Sequence, residues 1–398
     1  MNTLTENPLA LNGTHDHVAG RALVFVIEAL TVGGAEQMLV AMANRLSAEG
    51  WPVHLICLTK AGELAANLDS RIELHVLDKK PGIDVSLPGK LRKLVNSIAP
   101  LAVNSHLWTA NTWTRLSLLA AGKRIIATEH SRDTWKSKPY RLIDRLLATQ
   151  MQALVAVSSD TANFYTAEVG VPESKVTVIN NGIETARFRD ADGAAVRAEL
   201  AADNEILIGT VGRMISAKNH PRLVQAIAQI RDQMPTIRLV FVGDGEERQK
   251  LEAAIDEHGI ADITTLTGTR HDIPQIVKAL DIFVLSSDRE GHPLTALEAQ
   301  AAGTPAVLTD AGGSADAIVH LPDSDPIVNQ IPATPATTAG MLVDKSVDAL
   351  AQALLLLAAD KILREDMGAF GLKLSESHFD QNVMVEKYLK LFSGQTTS

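Results

Sequence analysis

The chain has 398 residues, a single cysteine and a formal net charge of -10, from 37 Lys and Arg against 47 Asp and Glu. That length is long for one hydrophobic core and comfortable for two domains, and the acidic balance argues against a general nucleic-acid binder. One cysteine excludes a disulfide within the chain, which fits a reducing cytoplasm. Residues 1 to 20 lack a basic start followed by an apolar core, so they read as a disordered tail with no secretory signal. No apolar run approaches a membrane span; Leu350 to Ala359 comes nearest and is too short.

Strand and helix signals then alternate along the chain. Ala22 to Ile27 reads as a strand buried on both faces, Ala35 to Glu49 as an amphipathic helix closed by Gly50, and Val53 to Leu58 as the next strand, with Cys57 a core thiol. Further strands are expected near Ile72 to Leu77, Leu101 to Asn104, Arg124 to Thr128, Ala153 to Val157 and Val176 to Ile179, which makes a parallel α/β domain. A polar break follows from Asn180 to Asp203. The alternation restarts with Ile206 to Val211, Ile237 to Val242, Ile263 to Leu266, Ile282 to Leu285 and Ala306 to Leu308. Leu321 to Gly340 is rich in Pro, Thr and Asp and reads as a long surface loop. The expected organisation is a tail at 1–20, a domain at 21–185, a second at 186–372, and a last helix at 373–398 packing back on the first.

Several turns at predicted strand ends carry chemistry. Gly33-Gly34-Ala35-Glu36 opens a helix, where free amides favour an anion; an ordinary tight turn is the plain alternative. It is not a dinucleotide fingerprint, since the spaced third glycine is missing, and there is no Walker A lysine. Gly212-Arg213 ends another strand, and Lys218 stands just before a helix opened by Asn219, His220 and Pro221. A guanidinium fork and an ammonium there suit a diphosphate, although isolated pairs of this kind are mostly solvated cations. Gly243-Asp244-Gly245-Glu246, Gly268-Thr269-Arg270-His271 and Glu290-Gly291 follow later strands and should share that face.

The stretch Asp281 to Thr309 is a strand-helix-strand crossover, punctuated by Pro293, Gly303 and Pro305. Glu290 lies in its turn. Glu298 lies on its helix, about 40° from Leu294 and beside the apolar stripe of Leu294, Leu297 and Ala301. A carboxylate so close to the buried side needs a partner, and a neighbouring backbone amide would serve as well as a ligand.

Taken together, Gly33-Gly34-Ala35-Glu36, Thr128-Glu129-His130, Val157-Ser158, Asn180-Asn181-Gly182-Ile183, Gly212-Arg213 with Lys218, Val242-Gly243-Asp244-Gly245 and Glu290-x7-Glu298 form an ordered set. It resembles the family 4 retaining glycosyltransferases of the GT-B fold, over roughly residues 21 to 390. The resemblance implies an α/β fold of two doubly wound, Rossmann-like domains facing across a cleft. Arg213 and Lys218 match the pair that holds the donor diphosphate, and Glu298 matches the carboxylate on the nucleotide ribose. Glu290 matches the acidic residue at the donor sugar, with the amides of Gly291 and His292 beside it and those of Leu294 and Thr295 for phosphate oxygens. Gly34, next to Gly33, matches the loop that approaches the phosphate or acceptor, and His130 matches the histidine that reaches the sugar. Backbone from Arg270 through His271 to Ile273 would border the base. The implied reaction keeps the anomeric configuration, by front-face attack rather than through a covalent intermediate on Glu290.

No cofactor or metal is expected: the Asp-x-Asp pair Asp323-Ser324-Asp325 falls in the Pro-rich loop rather than at a strand end. Three departures bear on donor identity and not on the diphosphate pair: His292 stands where phenylalanine is common, Gly312-Gly313 leads to Ser314-Ala315-Asp316 where glutamate is usual, and the loop after Leu321 is long. The expected partners are a nucleotide sugar and a glycan or lipid-linked acceptor, with His106, Trp108, Trp113 and Arg132 as candidate acceptor contacts. Arg132, Lys136, Lys138, Arg141 and Arg145, interleaved with Trp135, Tyr140, Leu142, Ile143 and Leu146, could dock an anionic membrane at its inner face or form a solvated helix face. The alternatives are a nucleotide-sugar epimerase of the same architecture and a non-catalytic sugar-binding protein, which would need no Arg213 and Lys218 pair.

Overall fold

The computed structural model describes residues 20–318 and 338–395. The predicted tail, apart from Gly20, and most of the predicted loop, including Asp323 and Asp325, lie outside the described residues. The chain forms two compact units, one of residues 1–182 with 381–398 and one of Ile183–Asp380, so it passes between them twice.

The first unit is built on a seven-stranded parallel sheet in the order β3-β2-β1-β4-β5-β6-β7. Its strands are β1 (Leu23–Ala29), β2 (Val53–Lys60), β3 (Glu73–Val76), β4 (Ala102–His106), β5 (Ile125–Glu129), β6 (Ala153–Ala156) and β7 (Val176–Val178). Central strands such as β1 read as unbroken apolar runs because helices cover both faces of the sheet. Val24, Val26, Ile56 and Leu58 face the Leu87–Ile98 helix, which contributes Leu87, Leu91 and Val95 to one core. The chain returns at its end. In the Gln381–Ser393 helix, Phe392 meets Phe25 edge-on at 6.1 Å, and the Tyr388 hydroxyl lies 3.3 Å from Thr128 Oγ1.

The second unit carries a six-stranded parallel sheet in the order β10-β9-β8-β11-β12-β13. The strands are β8 (Ile206–Val211), β9 (Ile237–Val242), β10 (Thr264–Gly268), β11 (Ile282–Leu285), β12 (Ala306–Thr309) and β13 (Gly340–Val343). Strand β13 is absent from the sequence reading. The polar break after Asn180 is also more ordered than expected: it contains helices Thr185–Arg189 and Ala194–Leu200, anchored in the core by Phe188 and Val196. In each sheet the order reverses between neighbours, at β1/β4 and at β8/β11, which is where doubly wound sheets place their ligands, outside the carboxyl ends of the strands.

Among the described residues no helix is long and apolar enough to cross a membrane.

Candidate active site

In the first unit the carboxyl ends of β4 and β5 present a chain of buried polar groups. Asn104 and His106 point to one side because they are two residues apart on a pleated strand. Asn104 Nδ2 donates to the Ile126 carbonyl at 3.1 Å and to Thr128 Oγ1 at 2.9 Å, so its Oδ1 is the atom 2.8 Å from His106 Nε2. His106 Nε2 therefore carries the proton, and its Nδ1 accepts from His130 Nε2 at 3.0 Å. Burial pushes His130 down to about 3 and His106 well below the usual imidazole range, with repulsion between the two rings adding to the latter. Both rings stay neutral at pH 7, and His130 is left with an Nδ1 that accepts no hydrogen bond among the described residues.

His106 was expected to touch the acceptor. It is fully buried and instead fixes the tautomer of His130. The chain then enters a helix through Leu107 at φ 68, a left-handed conformation that is strained for leucine by about 1–2 kcal/mol. Trp108 joins Trp135 and Tyr140 in an edge-to-face aromatic group with centroids 5.1 to 5.5 Å apart. Its indole N–H is buried without an acceptor among the described residues. Trp113 packs against the core and Arg132 pairs with Asp160 at 3.0 Å. Gly33, extended at φ -165, precedes the Gly34–Ala48 helix, and its neighbour Gly34 opens it.

The basic face expected from Arg132 to Arg145 is corrected in part. Lys136 is buried at the centre of a charge cluster, 2.9 Å from both Asp133 and Asp144 and 3.7 Å from Glu129, with its ammonium donating to the Tyr165 hydroxyl at 2.7 Å. Burial alone would lower its pKa, but the three carboxylates outweigh it and hold Lys136 above its ordinary value. Asp144 also receives Arg115 at 2.7 Å, and Arg141 pairs with Glu168. Besides Lys138 and Arg145, the Lys138–Leu147 helix exposes apolar side chains, namely Tyr140, Leu142, Ile143 and Leu146, next to Trp135.

In the second unit the strand ends are knitted together before any ligand is considered. Gly212 N–H donates to the Val242 carbonyl, Gly243 N–H to Gly268, and Met214 N–H to Asp244. A Cβ on Gly243, at φ 133, would stand 2.0 Å from the Gly212 carbonyl oxygen, so this glycine is required by the approach of two loops. Past these turns, Lys218 ends a short 3₁₀ turn, and left-handed Asn219 leads into the His220–Ile230 helix. Its ammonium bonds Glu290 Oε1 at 2.7 Å, and the Ser287 hydroxyl donates to the same oxygen at 2.5 Å. The Glu290 backbone is clamped as well. Its N–H donates to Ala311 and its carbonyl accepts from Gly313, which gives Gly312-Gly313 a structural task. Arg213 is exposed and makes no ion pair among the described residues.

The Leu294–Ala301 helix begins after Pro293, so the amides of Leu294 and Thr295 have no acceptor within the helix. Gly303 follows at φ 79 and ends it. Glu298 is half-buried on this helix and accepts no hydrogen bond among the described residues, so the amide partner considered from sequence is not there. Burial pushes it up to about 7, opposed by the Arg187 guanidinium. His292 is buried against Phe379 at 5.4 Å and held down to about 4 by burial, against the pull of Asp316. The Arg270 guanidinium is committed to Asp272 and Glu199, each at 2.7 Å, so only its backbone is open to a base. His271 and Gln275 line a depression of about 610 Å³ with Arg187 and Asp190, and Ile273 starts the next helix.

The second unit thus bonds Lys218 to Glu290, with Arg213 on the turn before Lys218 and Glu298 on the helix that follows Glu290, and the first unit bonds His106 to His130, with Trp108 two residues after His106. Residues 32–187 match the profile of Glycosyltransferase Family 4, and residues 194–373 match that of the Glycosyl transferases group 1. The chain belongs to the family 4 glycosyltransferases.

This glycosyltransferase is 26% identical over 292 residues to the GDP-mannose-dependent alpha-(1-6)-phosphatidylinositol monomannoside mannosyltransferase of Mycobacterium tuberculosis, covering 69% of its own length and 71% of the relative's. It is 26% identical to the UDP-Gal:alpha-D-GlcNAc-diphosphoundecaprenol alpha-1,3-galactosyltransferase of Escherichia coli, covering 71% and 78%. Its fold is that of the crystal structure of Anabaena HepE in complex with UDP, with a TM-score of 0.79, 18% identity and 94% of this chain against 99% of that one. Two residues that hold the candidate groups had no role in the sequence reading, Asn104 and Ser287, and Thr128 entered it only as part of the motif with His130. Each is a small polar residue in or beside a buried strand, and an isolated polar residue in an apolar run was the available signal.

Proposed function

We propose that this enzyme is a retaining, metal-independent hexosyltransferase that moves a sugar from a nucleoside-diphosphate donor to a glycan or lipid-linked acceptor. The observation that carries the reading is the 2.7 Å bond from Lys218 to Glu290, which ties the turn after β8 that carries Arg213 to the turn that leads into the amide-bearing start of the Leu294–Ala301 helix. Loss of a sugar from a nucleotide leaves charge on the diphosphate, and fixed positive groups stabilise that charge most as it grows in the transition state. They do so without a divalent ion. Glu298 would take the ribose hydroxyls, which would supply the partners its carboxylate otherwise lacks. Glu290 would orient the sugar: a carboxylate already holding an ammonium and a hydroxyl is a weakened nucleophile, which supports front-face attack with retention over a covalent intermediate. His130 would accept a hydrogen bond from a sugar hydroxyl at its bare Nδ1.

Both relatives named above carry a nucleotide sugar and a lipid-borne acceptor in their names, which supports the same pairing here. The aromatic group of Trp108, Trp135 and Tyr140 and the apolar side chains of the Lys138–Leu147 helix suit a lipid-linked acceptor at the inner face of a membrane, with Lys138 and Arg145 exposed for anionic headgroups.

The test is a thermal-shift panel of nucleoside diphosphates and nucleotide sugars, since a ligand selective for the folded state raises the midpoint by mass action. One base and one sugar should stand out. Silence across a broad panel would remove the donor site, and abolition of turnover by a chelator would remove metal independence.

A further inference from the structure

At the edge of the first sheet, far along β2 and β3 from the strand ends described above, three metal-ligating side chains converge. His54 is the second residue of β2, and Glu73 and His75 stand two apart on the edge strand β3, so all three project from one face. His54 Nδ1 lies 3.1 Å from His75 Nε2 and 3.3 Å from Glu73 Oε2, and the last pair is 3.9 Å apart. An ion placed about 2.1 Å from each atom would see them at about 95°, 104° and 136°, an open tripod that a small turn of one side chain would bring close to tetrahedral.

We propose that His54, Glu73 and His75 bind a divalent transition-metal ion of the zinc class, which pins the edge strand to the sheet. Imidazole and carboxylate donors select zinc, nickel, cobalt or copper over magnesium and calcium, which prefer oxygen throughout. His54 and His75 are largely covered, at 14% and 26% exposure, whereas Glu73 is 68% exposed, which gives the ion an entry path and leaves a position for water. His54 and Glu73 lie at the amino-terminal ends of their strands, and His106 and His130 lie at the carboxyl ends of theirs. The ion therefore steadies the fold and takes no part in transfer. Cys57 is no ligand, since it points to the opposite face of β2 and burial pushes its thiol up to about 11.

The experiment uses the tag-free, full-length chain after metal stripping. His15 and His17 form a His-x-His pair by sequence, so His15→Gln/His17→Gln is the parent background. Calorimetric titration with zinc chloride should give one ion per chain, cobalt chloride should give visible ligand-field bands, and zinc but not magnesium should raise the melting midpoint. Adding His54→Gln/His75→Gln should weaken zinc binding by at least about tenfold and leave donor turnover unchanged. Glu73→Gln, at an exposed position that the fold tolerates, should weaken it as well and serves if the double variant does not fold. Equal zinc affinity in the parent and in Glu73→Gln, or no zinc binding to the parent in the high-micromolar range, would overturn the proposal and leave a hydrogen-bonded triad only.

Discussion

Replacing Glu298 by glutamine should make the enzyme more stable and worse at holding its donor. An ordinary glutamate ionises near 4.5, and burial moves this one to about 7 in the folded chain. As pH rises, the unfolded chain releases the proton first. The folded state therefore loses stability between about pH 4.5 and pH 7, and the full penalty stands above pH 7. Each tenfold in proton affinity is about 1.4 kcal/mol, which caps the penalty at about 3 kcal/mol. The side chain is only half-buried and Arg187 opposes the shift, so about 1–2 kcal/mol is expected. Denaturant titrations of Glu298→Gln and the parent should coincide at pH 4.5 and separate by that amount at pH 8, with the variant more stable. Nucleotide binding at pH 8 should weaken in the same variant. A variant that is less stable than the parent at pH 8 would refute the reasoning, because it would mean that the ionised carboxylate is bonded within the fold.

Lys218→Ala should lower turnover about 100-fold or more, as loss of a fixed transition-state charge does, while the melting midpoint moves little; steady-state kinetics beside a thermal melt checks both. Lys136→Met leaves Asp133 and Glu129 without their cation and Asp144 with Arg115 alone, so it should cost about 3–5 kcal/mol in a denaturant titration. Asn104→Leu removes the acceptor that orders the His106 and His130 tautomers; imidazole nitrogen NMR should then show mixed tautomers, and kcat should fall about tenfold or more. Leu142→Asp/Leu146→Asp, at positions 54% and 63% exposed, should fold normally and lose co-sedimentation with anionic liposomes; unchanged sedimentation would remove the membrane contact.

Much of the fold was legible because strands covered on both faces must be apolar throughout, and runs such as Ile206–Val211 and Ile237–Val242 leave no other reading. Strand β13 escaped because it has four residues and begins at a glycine. The helices Thr185–Arg189 and Ala194–Leu200 escaped because one apolar anchor apiece does not make a period. At the site, the Lys218 and Glu290 positions were readable from their turns, yet the bond between them joins residues 72 apart, and pairing at that range leaves no mark on spacing. Lys136 shows the same limit in reverse. Among arginines and lysines it looks solvated, and only the fold brings Glu129 and Tyr165 to it. Gly243 was read only as part of a turn sharing the ligand face; what requires a glycine there is the close approach of the Gly212 carbonyl.

The Gln381–Ser393 helix belongs to a unit whose other residues end at Gly182, so the whole second unit is spelled out in between. On a ribosome the first unit is therefore begun first and finished last. Until more than two hundred residues beyond Gly182 have been made, Phe25 has no Phe392 to pack against and Thr128, which bonds the Asn104 side chain beside His106, has no Tyr388. The order of synthesis makes the second unit the first that can be complete, and a chain stopped before Gln381 would have a whole second unit and an open first one.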